Sequence, residues 1–77
     1  MTITIKYFGL IAEVTNCQEE VVEFSKNSIA QLLEFLNSKY PILKTKNFQV
    51  AQNQVLVSFE DEITGQEIAL LPPFAGG

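Results

Sequence analysis

The chain has 77 residues, 47% of them apolar and 18% charged, which is the composition of a folded domain and not of a disordered tail. That length allows one domain with a small core, because so short a chain buries only about 60% of the surface it exposes when unfolded. Five lysines, no arginine and nine carboxylates leave a formal charge of −4, which argues against nucleic acid as a partner, since phosphates require a basic footprint.

In residues 2–8, β-branched and aromatic side chains alternate with polar ones at period two, which predicts a first strand. Ile3, Ile5 and Tyr7 share one face. Thr2, Thr4 and Lys6 share the other, Phe8 ends that polar face, and Gly9 ends the strand. Residues 10–17 read as a loop carrying one helical turn. Residues 18–24 predict a second strand with Val22 and Phe24 inward, and a short connection between the two strands predicts a hairpin. The period then changes to that of a helix. Ser28 and Gln31 form an S-x-x-Q capping box, and Ile29, Leu32, Leu33, Leu36 and Tyr40 lie on one stripe. Gln31, Glu34, Asn37 and Ser38 fall off that stripe, and Lys39 suits the negative end of the helix dipole. Pro41 stops the helix by excluding Tyr40 from the α region.

Residues 42–47 read as a connecting loop. Residues 48–52 predict a third strand and Asn53-Gln54 a turn. Residues 55–59 predict a fourth strand with Val55, Val57 and Phe59 on one face. Glu60-Asp61-Glu62 reads as a solvated acidic turn, and Gly65 marks another turn. Residues 67–71 predict the last strand, with Ile68 and Leu70 inward. The expected fold is α+β: a mixed four- to five-stranded sheet with one main helix packed on one face. The globular domain is expected over residues 1–71 and an extended tail over residues 72–77.

The tail reads Pro72-Pro73-Phe74-Ala75-Gly76-Gly77. Neither proline donates a ladder hydrogen bond, so the sheet ends by Leu71. The Pro-Pro pair favours an extended polyproline conformation directed away from the body. Fully extended, residues 72–77 reach roughly 20 Å. The result is a stiff base, an apolar anchor at Phe74 and a thin tip ending in the Gly77 carboxylate. A carboxylate threaded down a narrow channel into another protein's active site needs such a tip, because glycine lacks the Cβ that would collide there. The alternative is a frayed terminus that ends in glycine by chance. At an average glycine usage of about 7%, a Gly-Gly end arises in roughly 0.5% of chains. The Pro-Pro-Phe-Ala run in front of it favours the functional reading.

Phe8, Leu56 and Leu71 each fall on the face opposite the inward residues of their own strand. One helix covers one face, so the three are expected to form an exposed apolar patch for protein contact. The alternative is three scattered surface side chains, which is ordinary. Leu71 sits at the root of the tail, so a partner that grips the patch would also receive the carboxylate.

The chain has no histidine and a single cysteine, Cys17. Zinc sites, Cys–His pairs, Ser–His–Asp triads and a disulfide framework are therefore excluded within it. Cys17 reads as a reactive thiol or persulfide carrier, or more ordinarily as an inert half-buried hydrophobe. Glu19-Glu20-Glu23 and Glu60-Asp61-Glu62 read as acidic partner sites or as solvated faces, without the spacing of a calcium loop. No apolar run reaches the ~18 residues of a membrane span. Residues 1–8 lack the basic start and apolar block of a signal peptide. The expected location is cytoplasmic, with no membrane and no nucleic-acid partner.

Three segments carry a family resemblance: Ile5-Lys6-Tyr7-Phe8-Gly9-Leu10-Ile11-Ala12-Glu13, Val50-Ala51-Gln52-Asn53-Gln54-Val55-Leu56-Val57-Ser58, and Glu67-Ile68-Ala69-Leu70-Leu71 with the tail that follows. The chain resembles the small, sulfur-carrying subunits of molybdopterin synthase (the MoaD family), which have the ubiquitin-like β-grasp fold. The P-P-x-x-G-G end is the most specific part of the match. The thiamine-pathway sulfur carrier and the ubiquitin-related modifiers share the fold and the Gly-Gly, whereas the Pro-Pro pair points to the molybdopterin branch. Leu70-Leu71 departs from the family, which commonly carries an aromatic pair there.

The resemblance implies a mechanism. An ATP-dependent, E1-like adenylyltransferase adenylates the Gly77 carboxylate, and a sulfur donor protein converts it to a thiocarboxylate. The tail, with Gly76 at its tip, enters the large subunit of molybdopterin synthase. There the sulfur passes to the pterin precursor to build the dithiolene. The pocket and its basic groups then belong to the large subunit, in a two-plus-two heterotetramer. The resemblance further implies that Phe8, Leu56 and Leu71 contact the partner, with Phe74 and Ala75 in the same set. It implies no tightly bound cofactor; ATP is used by the activating enzyme. The rival readings are a sulfur carrier for thiamine or tRNA thiolation, a ubiquitin-like modifier joined to lysines through Gly77, and an interaction module with an inert tail.

Overall fold

The structure, a computed structural model, describes residues 2–25, 27–64 and 66–73. In chain order the elements are β1 (Thr2–Tyr7), α1 (Leu10–Thr15), β2 (Glu19–Glu23), α2 (Ile29–Lys39), a 3₁₀ turn (Pro41–Thr45), β3 (Gln49–Gln52), β4 (Val55–Val57) and β5 (Glu67–Leu71). The strands form one five-stranded sheet in the order β2-β1-β5-β3-β4. β1 and β5 run parallel, and the other neighbouring pairs are antiparallel.

Strand position follows the apolar pattern. β1 and β5 are flanked on both sides, and their alternate residues Ile3, Ile5, Ile68 and Leu70 are fully shielded from water. The stripe of α2 joins the same core through Ile29, Leu32, Leu33 and Leu36, with Val22, Phe24 and Val50. Apart from Phe24, just past β2, these come from the inward positions of the strands or from the helix stripe, so among the described residues the opposite face of the sheet carries no helix.

The start of α2 is held by two devices. The Ser28 hydroxyl oxygen accepts the Gln31 N–H at 3.1 Å, as the capping box requires. Its reciprocal arm differs, since the Ser28 hydroxyl donates to Gln31 Oε1 at 3.0 Å. The Ile29 and Ala30 N–H groups donate to the carbonyls of Asp61 and Phe59, both at 3.0 Å. The acidic turn is thus more than a solvated loop. Its side chains are exposed, but its backbone satisfies donors that the first turn of a helix leaves free.

Other expectations need correction. Leu10–Thr15 is an α-helix and not a loop with one turn; Ile11 and Thr15 are buried, and Asn16 closes it in the left-handed conformation at φ 55°. No side-chain hydrogen bond caps its start, so the sequence carries no capping signal there. Residues 42–47 are not a plain loop either. The 3₁₀ turn opens on Pro41 and inserts Leu43, only 1% exposed, into the core. β4 ends at Val57, because the Ser58 N–H turns back to Asp61 Oδ2 at 2.8 Å. Val55, on the edge strand, is 64% exposed and does not join the core. Phe59 leaves the sheet and sits 6.5 Å, centroid to centroid, from Phe48.

Candidate functional site

The outward face is built by register. Ala51 pairs with Ala69 of β5 on one side and with Leu56 of β4 on the other. Gln49 pairs with Leu71, and Lys6 of β1 with Ala69. Two alanines therefore lie side by side in neighbouring strands, where larger residues would fill the surface. The result is a shallow depression of about 440 Å³ floored by Ala51 and Ala69, with Phe8, Leu56 and Leu71 among its walls. Phe8 is 44% exposed and Leu56 58%, and Leu71 is half-buried. The three apolar residues singled out by strand parity are thus brought together. The polar part of the rim includes Lys6 and Glu67, paired at 3.1 Å. Sequence reasoning missed Ala51, Ala69, Gln49, Gln54, Lys6 and Glu67 as parts of this site. The parity that selected Leu56 and Leu71 also selects both alanines, but a small residue gives no signal as a contact.

The turn that carries Leu56 is tight. Asn53 and Gln54 have φ of 50° and 72°, the positive values of a two-residue hairpin turn. The Asn53 N–H donates to the Glu67 carbonyl at 3.0 Å, tying the turn to β5. Beneath it, the buried Gln52 amide donates to the Glu62 carbonyl and Thr64 Oγ1 and accepts the Thr64 N–H at 2.8 Å.

The root of the tail meets the same face. The Phe8 N–H donates to the Leu70 carbonyl at 3.1 Å, which extends the β1–β5 ladder one residue past β1. Pro72 lies against Gly9, half-buried, and Pro73 is exposed. Phe74, Ala75, Gly76 and Gly77, expected to form the tip, lie outside the described residues.

Elsewhere a polar cluster joins β1, β2 and the end of α2. Glu20 accepts hydrogen bonds from Tyr7 Oη at 2.6 Å, from Tyr40 Oη at 2.7 Å and from Lys39 Nζ. The two tyrosine rings meet edge to face at 5.9 Å. Burial alone would raise the Glu20 pKa, but the bonds from Lys39, Tyr40 and Tyr7 outweigh it and hold the carboxyl below its ordinary value. Tyr7 moves the other way: its burial, and then its bond to Glu20, push its hydroxyl far above the ordinary phenol value. Burial and the bond to Glu20 also raise the Tyr40 hydroxyl, so the cluster favours a charged carboxylate between two neutral phenols, which suits a structural clamp. Cys17 is half-buried against the core, its Sγ donating to the Glu19 carbonyl at 3.2 Å. Among the described residues, no group of three or more acidic or cysteine side chains is placed to hold a metal ion. Among the same residues, no helix is long and apolar enough to cross a membrane.

A mixed five-stranded sheet with one main helix on one face, and its first and last strands parallel side by side, is the ubiquitin-like β-grasp fold. Residues 5–77 match the model of the ThiS family, and the chain belongs to that family. Solved structures agree in fold. A Pyrococcus furiosus protein described as subunit 1 of molybdopterin converting factor superposes with a TM-score of 0.86 at 20% identity, over 96% of this chain and 99% of that one. Small archaeal modifier protein 1 of Haloferax volcanii superposes with a TM-score of 0.78 at 22% identity, over 95% and 98% of the two chains. A chain of the complex of subunits 1 and 2 of molybdopterin-converting factor from Helicobacter pylori superposes with a TM-score of 0.71 at 25% identity, over 100% of this chain and 100% of that one.

Proposed function

We infer that this protein is a sulfur carrier and the small subunit of molybdopterin synthase, with residues 1–71 as its docking body and residues 72–77 as its delivery arm. The observation that carries the reading is the convergence of Phe8, Leu56 and Leu71 around one depression at the root of the tail. A partner seated there lies within reach of a tail roughly 20 Å long. The likeness to a chain in the complex of subunits 1 and 2 from Helicobacter pylori supports a large-subunit partner.

The chemistry follows from the poor electrophilicity of a carboxylate. An oxygen of the Gly77 carboxylate attacks the α-phosphorus of ATP on an E1-like enzyme, and pyrophosphate leaves. A persulfide on a sulfur donor protein then attacks the acyl carbon of the adenylate, and AMP leaves. A second thiol cleaves the S–S bond of the resulting acyl disulfide, forming a disulfide with the donor sulfur and releasing the thiocarboxylate. Docking through Phe8, Leu56 and Leu71 places the tail, with Phe74 and Ala75 along its sides, in the large subunit. There the thiocarboxylate sulfur bonds to the pterin precursor, and water hydrolyses the acyl–sulfur bond, which leaves the sulfur on the precursor and returns the Gly77 carboxylate. Gly76 and Gly77 supply the narrow tip, and the partner supplies the basic groups for the pterin, because this chain has no arginine and a net charge of −4.

Intact mass of the protein after incubation with its activating enzyme, ATP and a sulfur donor tests the reading. The expected change is one oxygen-to-sulfur exchange, and an unchanged mass overturns it. The likeness to small archaeal modifier protein 1 favours a second reading, attachment of Gly77 to lysines of other proteins. Laddered conjugates in place of the thiocarboxylate would support that reading instead.

A further inference from the structure

Residues 8 and 9 form a corner beside the root of the tail. The Phe8 N–H is bonded to the Leu70 carbonyl at 3.1 Å. The Phe8 carbonyl accepts the Ile11 N–H, and the Gly9 carbonyl accepts the N–H groups of Ala12 and Glu13. The corner is thus fixed to β5 on one side and to α1 on the other. Gly9 sits at φ 56° and ψ −133°, a conformation that L side chains rarely adopt. A Cβ built on Gly9 would lie 2.8 Å from Pro72 Cγ and 3.7 Å from Pro72 Cδ. The first of these is closer than real Cβ atoms come to a neighbour. The proline ring therefore occupies the space that any other residue at position 9 would claim.

We propose that Gly9 is a positioning residue for the tail, its missing side chain forming the seat on which Pro72 rests and from which the delivery arm is aimed. Three features act together. The β1–β5 pairing fixes Leu70, the gap at Gly9 admits the ring, and the ring fixes the backbone φ at the root. A proline has too few internal freedoms to yield by rotation, so a methyl at position 9 must shift the ring or the corner. The arm beyond Pro72 is a lever of roughly 17 Å when extended, at 3.3–3.6 Å per residue. A turn of about 20° at the seat therefore displaces the tip by about 6 Å. Displacements of about 1 Å can cost a hundredfold in reactions that depend on placement. The proposal rests on the sulfur-carrier reading only for its consequence in catalysis; the seat itself is a property of this chain.

The experiment has two arms. In the first, a nitroxide is attached at position 77 in a Cys17→Ser, Gly77→Cys chain, and the broadening of backbone amide signals is mapped by NMR. Gly9→Ala is expected to change which amides are broadened. Gly9→Ala combined with Pro72→Ala is expected to lie closer to Pro72→Ala alone than to Gly9→Ala alone, because without the ring the methyl no longer clashes and only the backbone strain at position 9 remains. A pattern unchanged by Gly9→Ala in a folded protein overturns the proposal. Should Gly9→Ala fail to fold, Pro72→Ala decides: it must alter the pattern while the melting temperature holds, and an unaltered pattern refutes the seat. In the second arm, Gly9→Ala carrying the native Gly77 is loaded with sulfur and mixed with the large subunit. Docking affinity is expected to stay at the wild-type value while single-turnover transfer falls about a hundredfold. Equal loss of both, or of neither, counts against positioning. A wild-type protein that takes no sulfur would fail the carrier reading and leave the first arm to judge the seat.

Discussion

Tyr7 and Phe8 are adjacent aromatics with opposite fates: one is 3% exposed and the other 44%. Strand alternation sends Tyr7 to the core and Phe8 to the open face. An exposed phenylalanine beside a depression is a typical anchor for a partner, and such anchors dominate binding energy. Phe8→Lys is expected to weaken docking to the large subunit by about 2 kcal/mol or more. Calorimetry reads this directly, and an unchanged affinity would mean that another face docks. Ala69→Leu, which raises the floor of the depression, should weaken docking in the same assay while the chain stays folded. At this scale the sequence was informative about large residues and silent about small ones. Phe8, Leu56 and Leu71 were legible from parity alone. Ala51 and Ala69 share their parity but matter through the volume they leave empty. Gly9 matters through its approach to Pro72, a residue far along the chain.

Elements were legible where one periodicity ran long enough. α2 shows its stripe and its Ser28 cap, and both appear in the structure. Ser28→Ala is expected to destabilise the protein by about 1 kcal/mol. For a domain of this size that lowers the melting temperature by about 4–8 °C. α1 was not legible, because it spans only Leu10–Thr15 and begins without a side-chain cap. The Glu20 clamp was not legible either, since it gathers Tyr7, Lys39 and Tyr40 from separate elements. It sets a pH dependence whose sign is fixed. The folded Glu20 pKa is lowered, so its stabilisation is present above the ordinary glutamate value near ~4.3 and is lost as pH falls through the lowered value. Tyr7 and Lys39 are raised, so their contributions are present below about pH 10 and fade as pH climbs beyond it. Glu20→Gln is expected to lose about 1–3 kcal/mol at neutral pH. The gap to wild type should close in acid. A constant gap down to low pH, followed by thermal denaturation, would remove the charge from the explanation.

At the scale of the whole molecule, the proposed function divides the labour between the body and the arm. Among the described residues, every member of the core cluster lies between Ile3 and Leu70. Phe8, Leu56 and Leu71, the proposed docking walls, also precede the tail. The proposed function therefore assigns folding and the main docking contacts to the residues before the tail, and the chemistry to the Gly77 carboxyl group. Removing Gly77 should leave the melting temperature and the affinity for the large subunit at their wild-type values. It should abolish sulfur transfer, because the carboxylate would then stand one residue short of the partner's reactive centre, by about 3.3–3.6 Å. Restoring the length with Gly77→Ala separates reach from shape. Alanine recovers the distance but adds a Cβ at the tip, so transfer should return only in part if the channel is as narrow as a Gly-Gly end implies. Full activity in the truncated chain would show that the carboxyl group of Gly77 is not what is delivered. Full activity with Gly77→Ala would show that the glycine at the tip serves something other than passage through a narrow channel.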